Sequence, residues 1–122
     1  MNGYVLDTSF VSAFGNKADS NHETALEIVK EFDTNLLILI PVVVLAEISR
    51  IKISNLRERA LDVCLETFDS ILEVEESNIE EYLDSSKKLP KSCTAIDSLL
   101  LYFAIAYDCN LVTFDKGLLR LV

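Results

Sequence analysis

Tryptophan is absent from this 122-residue chain, histidine occurs once, proline twice, and glycine and cysteine three times each. Each scarcity excludes something. Cys64, Cys93 and Cys109 are odd in number, widely separated and form no C-x-x-C pair, and His22 is near none of them. That excludes a disulfide framework and a cysteine–histidine zinc site, and leaves small buried thiols in a reducing cytoplasm as the plainer use. So little glycine and proline, beside 50% hydrophobic residues, excludes a disordered chain. Long apolar runs are missing too. The longest, Leu36 to Ala46, is interrupted by Pro41 and stopped by Glu47, well short of the roughly 20 residues a membrane-crossing helix needs. Met1-Asn2-Gly3-Tyr4 lacks the charged and apolar regions of a signal peptide. One domain over residues 1–122, cytoplasmic and away from membranes, is the expectation.

Positive charge is the last thing in short supply. Eleven Lys and Arg face 20 Asp and Glu, for a net charge of -9, where a phosphate-binding surface usually calls for the opposite sign. Two features soften this. Cations gathered by carboxylates would reverse the local sign. The basic residues are also grouped, as Arg50, Lys52, Arg57 and Arg59 and as Lys87, Lys88 and Lys91. These groups read equally well as solvated helix faces or as a binding strip.

What the chain does contain is an alternation of strand and helix patterns. Tyr4-Val5-Leu6 is a short apolar strand ending at Asp7-Thr8-Ser9. Ser20 and Glu23 form a capping box, with His22 expected to be exposed on its polar first turn, followed by Ala25, Leu26, Val29 and Phe32 at helical spacing. Leu36 to Ile40 reads as a buried strand, and Pro41 suits the first turn of a helix over Val42 to Ile51. Asn55 and Glu58 announce another helix, Ser70 to Val74 a third strand, and Ser77 with Glu80 a further capped helix. After a Lys87–Ser92 loop, Thr94 and Asp97 cap a helix apolar nearly all round, which is the mark of a central one. Asp108-Cys109-Asn110 is expected to turn the chain into a fourth strand, Leu111 to Phe114, and Asp115 to begin a last helix running to Val122. Alternation without hairpin signals predicts an α/β domain of three layers, with a central parallel sheet of about four strands flanked by helices.

In such sheets ligands collect beyond the carboxyl ends of the strands. Asp7 follows the first strand, Asp115 follows the fourth, and Asp97 lies in the first turn of the central helix. Glu47 interrupts an apolar helix about a turn and a half past the second strand, within reach of the same rim. Each acid has a plain alternative. Asp7 and Asp115 serve equally as helix N-caps, Asp97 as the third member of a capping box, and Glu47 as a solvent-facing residue. Collectively the plain readings are strained, because carboxylates set in apolar helices need a cation or a shifted pKa. Clustered carboxylates without histidine or cysteine are the preferred shell of Mg²⁺ or Mn²⁺, and such sites typically perform phosphoryl transfer. A haloacid-dehalogenase-like phosphatase would need a second Asp two positions after Asp7, where Ser9 stands. A receiver-like signalling module would need an acidic pair near the start of the chain, and Asp7 is the only acid before Asp19.

Val5-Leu6-Asp7-Thr8-Ser9, Leu45-Ala46-Glu47-Ile48, Ala95-Ile96-Asp97 and Leu111-Val112-Thr113-Phe114-Asp115-Lys116 resemble the four ordered acidic motifs of PIN domains, nearest to the VapC-like toxins and their free-standing prokaryotic cousins. The resemblance spans nearly the whole chain. It implies an endoribonuclease that cuts single-stranded RNA with Mg²⁺ or Mn²⁺ through metal-activated water and without a covalent intermediate. Asp7, Glu47, Asp97 and Asp115 would hold the metal or metals and orient the water. Thr113 would support the carboxylates from behind, with Thr8 and Ser9 doing likewise, although Thr8 reads equally as a backbone cap. The resemblance further implies a homodimer and, for a toxin of a toxin–antitoxin pair, an antitoxin whose tail enters the site. The alternative is a catalytically silent PIN-fold module that binds RNA or protein. One departure stands out. Most PIN domains carry a further strand after the last helix, whereas this sequence ends at Val122: either that strand is absent, which would leave a sheet edge bare, or the region was trimmed.

Overall fold

A strand buried on both faces of a parallel sheet has to be apolar throughout, and β1 (Gly3–Leu6) is buried at all four positions. A computed structural model of the chain, describing residues 1–119, places β1 at the centre. Around it lie β2 (Leu37–Pro41), β3 (Ser70–Leu72) and β4 (Cys109–Val112), in the order β3-β2-β1-β4 with every pair parallel. Gly3 faces Leu37 at the start of β1, where a Cβ would lie 2.3 Å from the Leu37 carbonyl oxygen. Only glycine lets the two backbones approach there.

The helices are α1 (Thr8–Gly15), α2 (His22–Lys30), α3 (Val42–Ser49), α4 (Ser54–Thr67), α5 (Ile79–Lys87), α6 (Ala95–Ala106) and α7 (Lys116–Leu119). α1 packs on α2, α3 and α4, whereas α5 packs on α6, and α6 on β1 and β4. The result is the predicted three-layer α/β arrangement. Phe10 of α1 sits at the aromatic centre of the first group, stacked near Phe14, Phe32 and Phe114, and Phe32 in turn stacks on Tyr4 at 4.0 Å between ring centroids. Burying such rings is a large part of what holds the layers together, at about 1.5–3 kcal/mol for each fully buried large apolar side chain. Of the tyrosines, Tyr4 and Tyr102 are buried in packing and Tyr82 hydrogen-bonds Ser98 at 2.9 Å.

Several boundaries differ from the sequence expectation. The helix α1 carries no capping box or long apolar period, and its Thr, Ser, β-branched Val and terminal Gly are weak helix formers; packing of Phe10, Val11 and Ala13 forms it. Neither Ser20 nor Ser77 closes its capping box. α2 begins after Asn21 without a side-chain cap, and Ser77 lies within a short 3₁₀ turn, Glu76–Asn78, that leads into α5. α3 stops at Ser49 and β3 at Leu72. The fourth strand lies two residues earlier than expected. Asp108 takes a positive φ of 52° and makes the turn alone, so Cys109 and Asn110 enter the sheet opposite Gly3 and Tyr4. The expected continuation of α7 to Val122 lies outside the described residues. Among the described residues, no helix is long and apolar enough to cross a membrane.

Candidate active site

The chain runs outward from β1 through β2 to β3, then returns to place β4 on the other flank of β1. The order therefore reverses between β1 and β4, and a crevice opens beyond their carboxyl ends, where ligands settle in open α/β sheets. Asp7 and Asp115 are the acids that follow these two strands. They line one open pocket of about 480 Å³ with Thr8, Ser9, Glu47, Thr94, Ile96 and Asp97. All four predicted acids are thus brought to one pocket, together with Thr8 and Ser9. Thr113 stands behind it, in contact with Asp7.

Asp7 is the most tightly held of the four. It is 6% exposed and caps α1, with Oδ1 accepting the Thr8 amide at 2.7 Å. Its Oδ2 accepts the Ser9 hydroxyl at 2.9 Å and the Thr113 hydroxyl. Each hydroxyl has a single hydrogen, so the 3.1 Å approach of Ser9 Oγ to Thr113 Oγ1 carries none once both are given to Asp7. Each hydroxyl oxygen also accepts a backbone amide from the far turn: Phe114 donates to Ser9 at 3.0 Å and Asp115 to Thr113 at 3.0 Å. Two loops more than a hundred residues apart in sequence are stitched together around one carboxylate. The capping reading of Asp7 is realised as well, and does not exclude the other.

The remaining acids are held less firmly. Glu47 is half-buried on α3, and its Oε1 accepts the Thr8 hydroxyl at 2.7 Å. Thr8 thereby ties α1 to α3. Asp115 is exposed and caps α7, its Oδ1 accepting the amides of Gly117 at 2.8 Å and Leu118 at 3.2 Å. Asp97 sits in the first turn of α6, where its amide donates to Thr94 Oγ1 at 3.1 Å as the capping motif predicts. Burial raises the Asp97 carboxyl above its ordinary range, hydrogen bonding from Thr94 works against this, and the Asp115 and Asp7 charges add to the rise.

The donor set suits a hard divalent ion. Apart from Ile96 the pocket is lined by oxygen-bearing side chains, with no histidine or cysteine among them. Among the described residues no three of these acids are already close enough together to grip an ion. Gly117 was not anticipated. A Cβ there would lie 3.2 Å from the Asp115 oxygen that its amide serves, and its only signal is a poor helix former in a helix's first turn. His22, expected to be exposed, is half-buried with Nδ1 2.8 Å from the Ala13 carbonyl, so it joins α2 to α1.

The model of the PIN domain family matches residues 4–122. No curated protein matches the sequence. Among solved structures, VapC20 of Mycobacterium tuberculosis, a toxin that cleaves the sarcin-ricin loop, is similar in fold, with a TM-score of 0.76 at 18% identity over 97% of this chain and 94% of that one. A chain from VapBC2 of Rickettsia felis, bound to a DNA fragment from its promoter, is similar with a TM-score of 0.69 at 25% identity, over 97% of this chain and 92% of that one.

Proposed function

Because the chain belongs to the PIN-domain family, we propose that it is a metal-dependent endoribonuclease acting on single-stranded RNA, and the toxin of a toxin–antitoxin pair. The observation that carries this reading is the meeting of Asp7, Glu47, Asp97 and Asp115 in one pocket at the point where the strand order reverses. Asp97 is raised by burial and, to a lesser degree, by the charges of Asp115 and Asp7, and carboxylates gathered from four different elements are expected where charge is to be neutralised by something bound.

Asp7, Glu47, Asp97 and Asp115 are the residues that would hold Mg²⁺ or Mn²⁺. The ion, when bound, supplies an activated water and neutralises charge on the phosphate. The chain's own part is positional. Ser9, Thr113 and the Thr8 amide set the Asp7 carboxylate before anything binds, and Thr8 sets one oxygen of Glu47. Hydroxyls behind the carboxylates orient them at the pocket. Asp115 keeps Oδ2 clear of its capping bonds, which fall on Oδ1. Orientation prepared in this way lowers the reorganisation needed at reaction.

An antitoxin is the protein partner that fits, since a VapBC complex is among the similar structures, and a homodimer is the assembly we propose with it. Three free cysteines suit action in the reducing cytoplasm. One observation favours a second reading. No three acids among the described residues are gathered tightly enough for an ion, as expected of a silent module that binds RNA or protein. Labelled single-stranded RNA incubated with the protein in Mn²⁺, Mg²⁺ and EDTA, beside Asp7→Asn and Asp97→Asn, separates the two. Cleavage that needs metal and disappears in both variants is the expected result. Equal behaviour of wild type and variants would sink the nuclease reading and leave the binding module.

A further inference from the structure

Helix α3 carries more than Glu47 to the site. Val43, Ala46 and Glu47 of α3 and Arg50, the residue that caps its C-terminus, follow one another at intervals of three, one and three residues, which is the spacing of a single helical face. With Ile96 of α6 they line a second open groove of about 450 Å³. Glu47 and Ile96 border both this groove and the carboxylate pocket, so the two are continuous. Beyond Glu47 the groove is apolar along Val43, Ala46 and Ile96 and carries one cation, the exposed Arg50.

Arg50 is a neighbour of Glu47 on that face but is not spent on it. Among the described residues the one ion pair joins the N-terminus to Asp108, and the neighbouring guanidinium that makes a hydrogen bond is that of Arg57, to the Ile51 carbonyl, not that of Arg50. Arg50 lies three residues past Glu47, about 4.5 Å along the helix axis. A bound chain of anionic groups leaving the carboxylate pocket along α3 would therefore meet Arg50 at its next step. In a molecule of net charge -9, a free guanidinium beside a run of aliphatic side chains is a specific combination. It matches a nucleotide, which presents an apolar base face and an anionic phosphate.

We propose that this groove seats the nucleotide adjoining the scissile phosphate, its base against Val43, Ala46 and Ile96 and its phosphate on Arg50. The inference rests on the nuclease reading and names Arg50 as a positioning residue for the RNA. An acidic peptide would also be drawn to Arg50, and in that case Arg50→Ala would leave the KM for RNA unchanged.

The test is the rate of cleavage of a labelled single-stranded RNA of mixed sequence in Mn²⁺, with RNA and NaCl concentrations varied. Arg50→Ala should raise KM about tenfold, as the loss of a charge-assisted contact does, with kcat within about twofold. The slope of log kcat/KM against log salt should become shallower by about 0.7, the share of one phosphate on a single strand. Arg50→Lys should recover part of KM, and Ala46→Glu, at an exposed position, should raise KM by crowding and repulsion without lowering the melting temperature. If wild type cleaves and Arg50→Ala shows wild-type KM and salt slope, this inference fails while the nuclease reading stands. A fall in kcat at unchanged KM overturns it too. If wild type leaves the RNA intact under every metal condition, both fall together.

Discussion

Asp7 and Asp97 stand at the same rim, each in or before the first turn of a helix, and they are held in opposite ways. Asp7 is buried, and its carboxylate is met by a backbone amide and two hydroxyls. Asp97 is partly buried, beside Thr94, and feels the charges of Asp115 and Asp7. A carboxylate with donors on both oxygens is an anchor whose position is decided before a ligand arrives. One raised by burial and by like charges is a carboxyl that its surroundings make easier to protonate. The contrast teaches that the acids of the pocket need not be equivalent: here one is built into the scaffold, and another stands with fewer partners beside like charges.

The comparison can be broken most severely at Asp7. Asp7→Asn puts an amide N–H₂ against donors, so either the Thr8 amide or the Ser9 and Thr113 hydroxyls lose their acceptor. We expect complete loss of metal-dependent RNA cleavage together with about 1–3 kcal/mol of stability in a denaturant melt. Retained activity would show that Asp7 is only a cap. Gly3→Ala tests the same strand from its other end. A Cβ 2.3 Å from the Leu37 carbonyl oxygen forces β1 from β2, at a cost of about 1–3 kcal/mol, and should lower activity by moving the strand that carries Asp7; an unchanged melting temperature would refute the close approach. Thr113→Val, which keeps the shape and removes the hydroxyl, is expected to lower metal affinity about 10–100-fold when read by metal-induced thermal stabilisation. Wild-type affinity would deny Thr113 its supporting part.

At Asp97 the effect is smaller and of opposite sign. Its pKa is raised in the folded protein above the ordinary carboxyl value of 3.8, so the fold binds this proton more readily than the unfolded chain does. The contribution to stability is present below pH 3.8 and is lost as pH rises through the raised pKa. Asp97→Asn should therefore make the metal-free protein slightly more stable at neutral pH and flatten that part of its pH profile, while abolishing cleavage. A less stable metal-free variant would mean that Asp97 is a structural cap and no more. The smallest expected effect lies away from the site: burial pushes the Cys64 thiol up to about 11, so alkylation of the native protein at mild alkaline pH should label Cys93 and Cys109 before Cys64. Faster labelling of Cys64 would show that α4 opens readily.

Much of this contrast was visible before any fold was known, and some was not. The strand-end positions of Asp7 and Asp115, the Thr94–Asp97 cap and the apolar α6 are local patterns, carried by neighbouring residues and therefore readable in order. α1 escaped because its weak helix formers are helical only where Phe10 and Val11 find a core. β4 was misplaced because Asp108, Cys109 and Asn110 all favour turns, and only pairing with β1 shows that one residue of positive φ is turn enough. Three of the capping or exposure readings, at Ser20, Ser77 and His22, failed for a related reason: the hydrogen-bond partner each residue takes is set by the neighbouring chain, not by its spacing.

By itself the sequence determined the alternation of elements, the parallel sheet and three acids at strand ends and helix starts, with Glu47 inside an apolar helix, since these follow from periodicity and from the residue types that end or interrupt an element. The tertiary structure alone decided that Ser9 and Thr113, 104 positions apart, meet on one oxygen of Asp7, and that Arg50 stands free in a groove continuous with the acids. Those facts depend on which strand lies beside β1 and how the helices are laid across it. Side-chain atoms meet through space, and the chain order that names them carries no distance.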